Sequence, residues 1–181
     1  MKQIWQQRLD AAFDMYFAMS KDLQGDITAL IHDEEDSQSS RRNFIRAASA
    51  LMEGYARCFR EMCQVGIETG AGPPTSQEVK ILRSERSFHS AERVKLTLQA
   101  AYKLFQLPAL PEFRGEDWRN AQRLLEKRNK LMHPKSAEDL EVTDELWHDV
   151  YYGAIWLFKQ LFGFIEQLAI VHGGESLDHK M

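Results

Sequence analysis

The sequence predicts an all-α protein, and two patterns favour that fold class. Apolar residues recur at three- and four-residue steps in four long segments, as they do along one face of a helix. No segment of useful length alternates apolar and polar residues as a half-buried strand would. The 181 residues are 44% hydrophobic and 28% charged, which is typical of one globular domain. We therefore expect a single domain, residues 1–181, folded as an up-and-down bundle of four to five helices.

The first predicted helix covers about residues 3–31. Its apolar positions follow helical spacing: Trp5, Leu9, Ala12, Phe13 and Tyr16. Gly25 and Asp26 are expected to weaken its end. The polar stretch 32–40 follows, and its serines are candidate N-caps for the next helix.

The second predicted helix covers about residues 41–67. Its apolar face consists of Phe44, Ala48, Leu51, Tyr55, Phe59 and Met62. Glycines and prolines at 70–74 end it, because glycine favours C-terminal caps and proline cannot continue the helix. Cys58 and Cys63 lie five residues apart, about 140° around the axis, so they cannot bridge. Free thiols are typical of a reducing compartment.

A weaker helical region follows at residues 77–106, with Ser76 as its predicted N-cap. Pro108 and Pro111 end this region, since proline interrupts the helical hydrogen-bond ladder. Its pattern is less regular than those of the other segments. We therefore interpret residues 70–112 as an insertion between core helices.

The third main helix is predicted at about residues 117–132 and stops before Pro134. Its inward positions are Trp118, Ala121, Leu124, Leu125 and Leu131. Thr143 is the predicted cap of the last helix, about 144–171, which is apolar on nearly every side. Such a helix is either central to a bundle or shared with a second subunit.

The last helix also raises the question of a membrane span. Polar residues interrupt its apolar run: Lys159, Gln160, Glu166 and Gln167. A buried helix explains that pattern better than a membrane span does. The first eight residues lack the apolar core of a signal peptide. We expect no membrane association and a cytoplasmic location.

One short segment carries candidate chemistry, the string RNKLMHP at 128–134. Arg128 and His133 are five steps apart, about 140° around an ideal helix, and would not share a face. Pro134 changes this expectation, because the residue before a proline is pushed out of the helical conformation. His133 would then sit just past the helix end, where its ring can turn toward Arg128. Histidine is the side chain best suited to act as acid or base near neutral pH.

Charge is concentrated around this segment. Residues 114–135 contain seven basic and three acidic side chains, a local charge of +4, whereas the whole chain carries −4. The remainder therefore carries −8. A basic segment attracts phosphate, although a run of this kind can also be an ordinary solvated helix face. The net acidity of the chain disfavours a protein that coats nucleic acid nonspecifically.

The string RNKLMHP, placed at the end of a long helix in an all-α chain, resembles the motif of the HEPN superfamily. That motif is an arginine, four to six residues and a histidine, with a polar residue such as Asn129 after the arginine. The helical layout is similar over about residues 3–171, whereas the match in amino-acid sequence is limited to the seven residues 128–134. It implies a homodimer that brings two motifs to one cleft. Many members are metal-independent ribonucleases, often toxins held by an antitoxin or components of defence against phage.

The resemblance also implies roles for individual residues. His133 would act as general acid or base on the ribose 2′-hydroxyl or the leaving 5′-oxygen, giving a 2′,3′-cyclic phosphate. Arg128 would stabilise charge on the phosphate, and Asn129 would position the phosphate or the histidine. Members often present an acidic or polar side chain from the second helix, for which Glu53 is the candidate here. Arg46 and Arg57 share its side of the helix.

Substrate binding is assigned to Glu53 and to three basic residues of the motif helix: Arg123, Lys127 and Lys130. No metal or cofactor is expected, because the other histidines show neither HExxH nor paired-cysteine spacing: His32, His89, His148, His172 and His179.

Three alternatives stay open. The chain can be a noncatalytic module of the same fold that binds a nucleotide or partner. It can be a structural dimer held by Arg128 and His133, or the pair can be a surface cap. Four aromatic residues of the last helix, Trp147, Tyr151, Tyr152 and Trp156, are candidates either for base stacking or for the core.

Overall fold

The computed structural model describes residues 2–31, 36–70, 75–83 and 91–172. In this part of the chain six α-helices are found: α1 (Lys2–Ile31), α2 (Gln38–Thr69), α3 (Ser76–Leu82), α4 (Ala91–Leu104), α5 (Gly115–Met132) and α6 (Asp144–His172). A short 3-10 turn, Glu138–Leu140, lies between α5 and α6. The predicted all-α bundle is confirmed. The helices number six because the weak region at 77–106 contains two of them.

Helices α1 and α2 form an antiparallel pair. Arg8, near the start of α1, contacts Glu61 at 2.8 Å and Glu68 at 2.5 Å, both near the end of α2. Farther along, the hydroxyls of Ser20 and Tyr55 are 2.8 Å apart. The start of α1 therefore lies beside the end of α2, as an antiparallel arrangement requires.

Helices α5 and α6 form a second antiparallel pair. The rings of Trp118 and Trp156 lie 5.8 Å apart, and Gly153 of α6 lies directly against the backbone of Asn120 and Ala121. A side chain at position 153 would overlap that backbone, so glycine permits the close approach of the two helices.

Helix α4 packs alongside α2 and runs in the same direction. Val94, at its start, lines a small pocket with Ser49 of α2, and Leu104, at its end, lies against Gly66. Leu98 and Ala101 have no solvent exposure. The segment 70–112, which the sequence suggests is an insertion, therefore contributes a core helix.

The helix ends follow the capping rules with one correction. Ser37 caps α2, as the serines of 32–40 suggest, and Gly70 ends that helix with a left-handed φ of 79°. The Thr143 hydroxyl accepts a hydrogen bond from the Leu146 N–H at 3.3 Å, as predicted. The predicted cap Ser76 is wrong, because Thr75 caps α3 and its partner Glu78 completes a capping box.

The predicted apolar faces of α2 and α5 are buried throughout, so periodicity identified the core correctly for these helices. Helix α6 buries one side of its apolar surface, and about a third (33%) of its most apolar window is enclosed. By length and composition alone, Asp144–Val171 is also long and apolar enough to cross a membrane. Parts of two predicted segments lie outside the described residues, namely the polar stretch 32–40 and the glycine and proline segment 70–74. Three histidines also lie outside them: His32, His89 and His179.

Candidate active site at the end of helix α5

His133 ends α5 in the way that Pro134 predicts. The helix stops at Met132, and His133 has φ −136° and ψ 59°, outside the helical region. Its backbone N–H still donates to the Asn129 carbonyl at 3.1 Å, which holds it against the last turn. The imidazole is therefore carried at a defined helix end rather than in a loose loop.

Arg128 is held on two sides. Its Nη2 donates to a carboxylate oxygen of Glu53 from α2, and its Nη1 donates to the Asn129 side-chain oxygen at 3.2 Å. The Arg128 side chain is 12% exposed and that of Glu53 is 31% exposed. The ion pair therefore lies at the edge of the core, where water only partly screens it. A guanidinium has five N–H donors, so donors remain for a further acceptor.

The structure places His133 apart from this group. The side chain is exposed, and no contact between His133 and Arg128 is found among the described residues. Five helical steps place the two about 140° apart, and the departure of His133 from the helix does not bring the ring back in this conformation. Arg128, Asn129 and Glu53 are brought together, whereas the His133 side chain lies at the helix end and faces solvent.

A very small pocket lies beneath the Arg128–Glu53 pair. Its volume is about 10 Å³, which is close to the space of a single water. It is lined by Ser49, Met52, Glu53, Val94, Leu125, Arg128 and Leu161. A nucleotide cannot enter it, so any substrate of this site must bind on the outer surface of Arg128 and Asn129.

The three basic residues assigned to substrate binding do not adjoin Arg128. Each residue turns an α-helix by about 100°, so Arg123, Lys127 and Lys130 share one side of α5, and Arg128 faces another. They line an open groove of about 320 Å³, together with Glu126, Glu138, Asp139, Glu141, Thr143 and Leu146. This groove is mixed in charge, and it is separate from the Arg128–Glu53 pocket.

The ammonium of Lys127 is hydrogen-bonded to the backbone of the loop after α5. The residue is 5% exposed, and its ammonium donates to the backbone carbonyls of Asp139 at 2.8 Å and Glu141 at 2.5 Å. Burial, together with the nearby charge of Lys130, lowers the pKa of Lys127. The ammonium is therefore used to hold the loop after α5, which leaves it poorly placed to bind a substrate.

Acidic residues offset much of the local charge of +4. Three of them come from outside residues 114–135: Glu112 contacts Arg114 at 2.9 Å, Asp149 contacts Arg123, and Glu53 contacts Arg128. Within α5, Glu126 lies 3.4 Å from Lys130. The basic segment of the sequence is therefore not an open basic surface in the folded chain.

A further group of basic residues, from α2 and α4, is not evident from counting charges along the sequence. Arg57 and Arg60 lie one turn apart on α2, and the charges of Arg57 and Arg93 of α4 both act on Arg60. Arg57 is exposed, and the other two are half-buried. The sequence shows that Glu53 and Arg57 lie four residues apart, on one side of α2. The approach of Arg93 cannot be seen in the sequence, because it depends on how α4 packs against α2.

The aromatic residues of α6 mostly pack inside the bundle. The rings of Trp147 and Tyr151 lie 5.1 Å and 5.6 Å from that of Phe44. Tyr152 differs, since it is 49% exposed. Within the described ranges, no group of three or more His, Cys, Asp or Glu side chains is arranged to hold a metal ion.

Comparison of the chain with models of known protein families, with curated proteins and with solved structures finds no match. The HEPN resemblance therefore depends on the motif, its place at the end of α5 and the helical architecture.

Proposed function

We propose that the chain is a metal-independent endoribonuclease of the HEPN type that works as a homodimer in the cytoplasm. The observation that carries the proposal is the arrangement at the end of α5. Arg128 is oriented by Glu53 from α2 and by Asn129, and His133 lies exposed five residues later with its backbone tied to Asn129. A fixed guanidinium and an accessible imidazole at the same helix end are the kinds of group that phosphodiester chemistry uses.

The proposed reaction uses these groups in sequence. His133 takes the proton from a ribose 2′-hydroxyl, and the 2′-oxygen attacks the adjacent phosphorus. The bond to the 5′-oxygen breaks, and the second subunit's copy of the same histidine protonates that leaving oxygen. Arg128 stabilises the charge on the phosphate oxygens. The products are a 2′,3′-cyclic phosphate and a 5′-hydroxyl, with no net change in protons.

The decisive experiment measures cleavage of end-labelled RNA in EDTA. His133→Ala should lose about 10²- to 10⁴-fold in rate, the usual contribution of a general acid or base. His148→Ala is the matched control, because His148 is an exposed histidine of α6 away from the motif. Equal cleavage by wild type and His133→Ala, or dependence of cleavage on a divalent metal, would contradict the proposal.

The dimer is tested separately by sedimentation equilibrium. The proposal requires a dimer at the concentrations at which RNA is cleaved. A chain that cleaves as a monomer would disprove the two-histidine mechanism. A protein antitoxin, if the chain is a toxin or a phage-defence component, would be expected to cover His133 or prevent dimerisation.

One observation favours a second candidate, a structural role for Arg128. Its contact with Glu53 joins α2 to α5 at the edge of the core, and the pair contributes on the order of 1 kcal/mol if it behaves as a partly exposed ion pair. A double-mutant cycle with Glu53→Gln and Arg128→Gln measures that coupling by urea denaturation. The structural role predicts a coupling of about that size together with unchanged ligand binding. The nuclease predicts loss of cleavage in Arg128→Lys, which retains the charge but loses the planar guanidinium.

A further inference from the structure

We propose that the outward side of α6 binds a second copy of this chain, with the two α6 helices side by side and antiparallel. The residues of this side, here called the outward stripe, are Tyr152, Ile155, Lys159, Gly163, Glu166 and Ile170. The inference goes beyond the proposed function, because this contact does not bring the two copies of His133 together.

The outward stripe is the side of α6 that the bundle leaves uncovered. The opposite side of the helix belongs to the core, and its residues are buried: Val150, Ala154, Leu157 and Leu161. On the outward stripe, Tyr152 is 49% exposed and Ile170 is 82% exposed. A Cβ added at Gly163 would meet no atom within 4 Å, so a neighbouring helix has room to approach there. Exposed large apolar side chains grouped on one helix face are typical of an interaction surface.

The two charges of the outward stripe complement each other across a two-fold axis. Lys159 and Glu166 are both exposed, and neither has an ion pair within the described ranges. They lie seven residues apart, about 10 Å along the axis, which is beyond the four-residue spacing of pairs within one helix. If two α6 helices lie antiparallel with their centre midway between positions 162 and 163, Lys159 of each copy is level with Glu166 of the other. One contact then contains two identical ion pairs.

The apolar residues of the outward stripe share that centre. Ile155 and Ile170 are equally far from the midpoint of 162 and 163, one on each side, so Ile155 of one copy is level with Ile170 of the other. Gly163, with its open outer side, lies at the centre itself. A two-fold contact requires one patch to be complementary to itself, and both the charges and the apolar side chains of this stripe meet that requirement.

The same two charges disfavour the other arrangements. A parallel pair would place Lys159 against Lys159 and Glu166 against Glu166, and like charges that face each other across an interface are costly. A membrane is the other candidate, because α6 is long and apolar enough to span one by length and composition. Lipid would leave the charges in the middle of the stripe without partners, which is also costly. The second copy is therefore favoured.

The contact leaves the ends of α5 far apart. Thr143 and Leu146 line one groove with Lys130, so the end of α5 lies beside the start of α6. Asp144, where α6 starts, is about 28 Å along the helix from the proposed centre, and the two starts are therefore about 55 Å apart. A dimer that joins the two histidines needs a different surface. A chain that uses both contacts would form a tetramer.

The test is a charge exchange, followed by sedimentation equilibrium of the full chain. Lys159→Glu and Glu166→Lys each turn both ion pairs into like-charge pairs, so each alone should weaken association by at least about tenfold and halve the number of subunits. The double variant restores both pairs with their signs exchanged and should regain most of the association. Mixing the two single variants should restore it as well, because one variant carries two acids at these positions and the other two bases.

The matched control is Lys80→Glu, which makes the same charge change at an exposed position of α3, a helix that packs against α2 and α4. It should leave association unchanged. All variants should keep the thermal midpoint of the wild-type monomer, measured by circular dichroism at a concentration where the chain is dissociated, because the substituted side chains are exposed.

Three outcomes would overturn the inference. The first is a wild-type chain whose number of subunits does not respond to either single reversal. The second is a double variant that associates no better than the single ones, which would show that Lys159 does not face Glu166. The third is wild-type chain that floats with phosphatidylcholine vesicles and does not self-associate through α6, which would assign the outward stripe to a membrane.

The result is distinguishable from that of the nuclease assay. If wild type cleaves no RNA but the single reversals halve the number of subunits and the double variant restores it, the α6 contact stands and the nuclease proposal falls. If wild type cleaves through His133 and the reversals leave the number of subunits unchanged, only the α6 contact falls.

Discussion

The thiols of Cys58 and Cys63 are buried in the core on α2. Burial raises the pKa of the Cys58 thiol to about 11, and complete burial raises that of Cys63 as well. The reactive species is the thiolate, so both thiols should be inert in the folded chain at neutral pH. We expect Ellman's reagent to label neither thiol in the native protein and both in urea.

The same shifts give a pH dependence of stability. Between about pH 9 and about pH 11 the unfolded thiols lose their protons while the folded Cys58 retains its own, so the unfolded state binds fewer protons. The free energy of unfolding should therefore decrease as the pH rises through this window. Urea denaturation at about pH 8 and about pH 10.5 measures it, and Cys58→Ala with Cys63→Ala should reduce the dependence.

Lys127 is a second residue whose environment predicts a measurable effect. Lys127→Met keeps the long side chain but leaves the Asp139 and Glu141 carbonyls without their donor. We expect a loss of about 1–3 kcal/mol in the free energy of unfolding. Lys130→Met, at an exposed position three residues away, should change it by less than about 0.5 kcal/mol. Equal effects would show that the loop does not need the Lys127 ammonium.

At the scale of elements, the α5–α6 pair depends on Gly153. A Cβ at this position would overlap the backbone of Asn120 and Ala121, and backbone cannot move aside as a side chain can. Gly153→Ala should therefore destabilise the chain by about 1–3 kcal/mol or more. Gly163→Ala is the control on the same helix, because nothing lies within 4 Å of its added methyl. It should stabilise by about 0.5–1 kcal/mol, since alanine favours helix more than glycine does.

The loop between α5 and α6 is held by long-range hydrogen bonds that helical periodicity does not predict. Its backbone carbonyls at 139–142 accept hydrogen bonds from four side chains of α2 and α5: Gln38, Arg41, Arg42 and Lys127. The Val142 N–H also donates to the Gln38 side chain at 2.8 Å. Three of these residues belong to α2, about one hundred positions earlier in the chain. No local pattern reports such contacts, because the partners become neighbours only when the helix pairs dock.

At the scale of the whole molecule, α4 tests whether the bundle is one cooperative unit. Leu98 has no solvent exposure and belongs to the common core. Leu98→Ala should lower the free energy of unfolding by about 2–5 kcal/mol. The three tryptophans of α5 and α6 should report the same shift by fluorescence as circular dichroism does. An unchanged tryptophan transition would mean that α4 unfolds separately.

The control for this experiment is Leu110→Ala, in the same 70–112 segment. Leu110 is 49% exposed, so its truncation removes little buried surface and should change stability by less than about 0.5 kcal/mol.

Local rules were sufficient for much of the bundle. Periodicity identified the buried faces of α2 and α5, and the Thr143 and Gly70 caps and the stop before Pro134 followed from backbone chemistry within a few residues. These features are determined locally, because helical spacing and φ preferences act between near neighbours in the chain. The position of His133 just outside α5 is among them.

The composition of the site required tertiary structure. The sequence grouped Arg123, Lys127, Lys130 and Arg128 as one basic surface, but helix rotation and packing separate them. Acidic partners from other elements pair with Arg123 and Arg128, and backbone carbonyls hold Lys127. The approach of Arg93 to the α2 arginines likewise depends on where α4 docks. Coulomb interactions depend on distance in space, and packing between helices sets that distance.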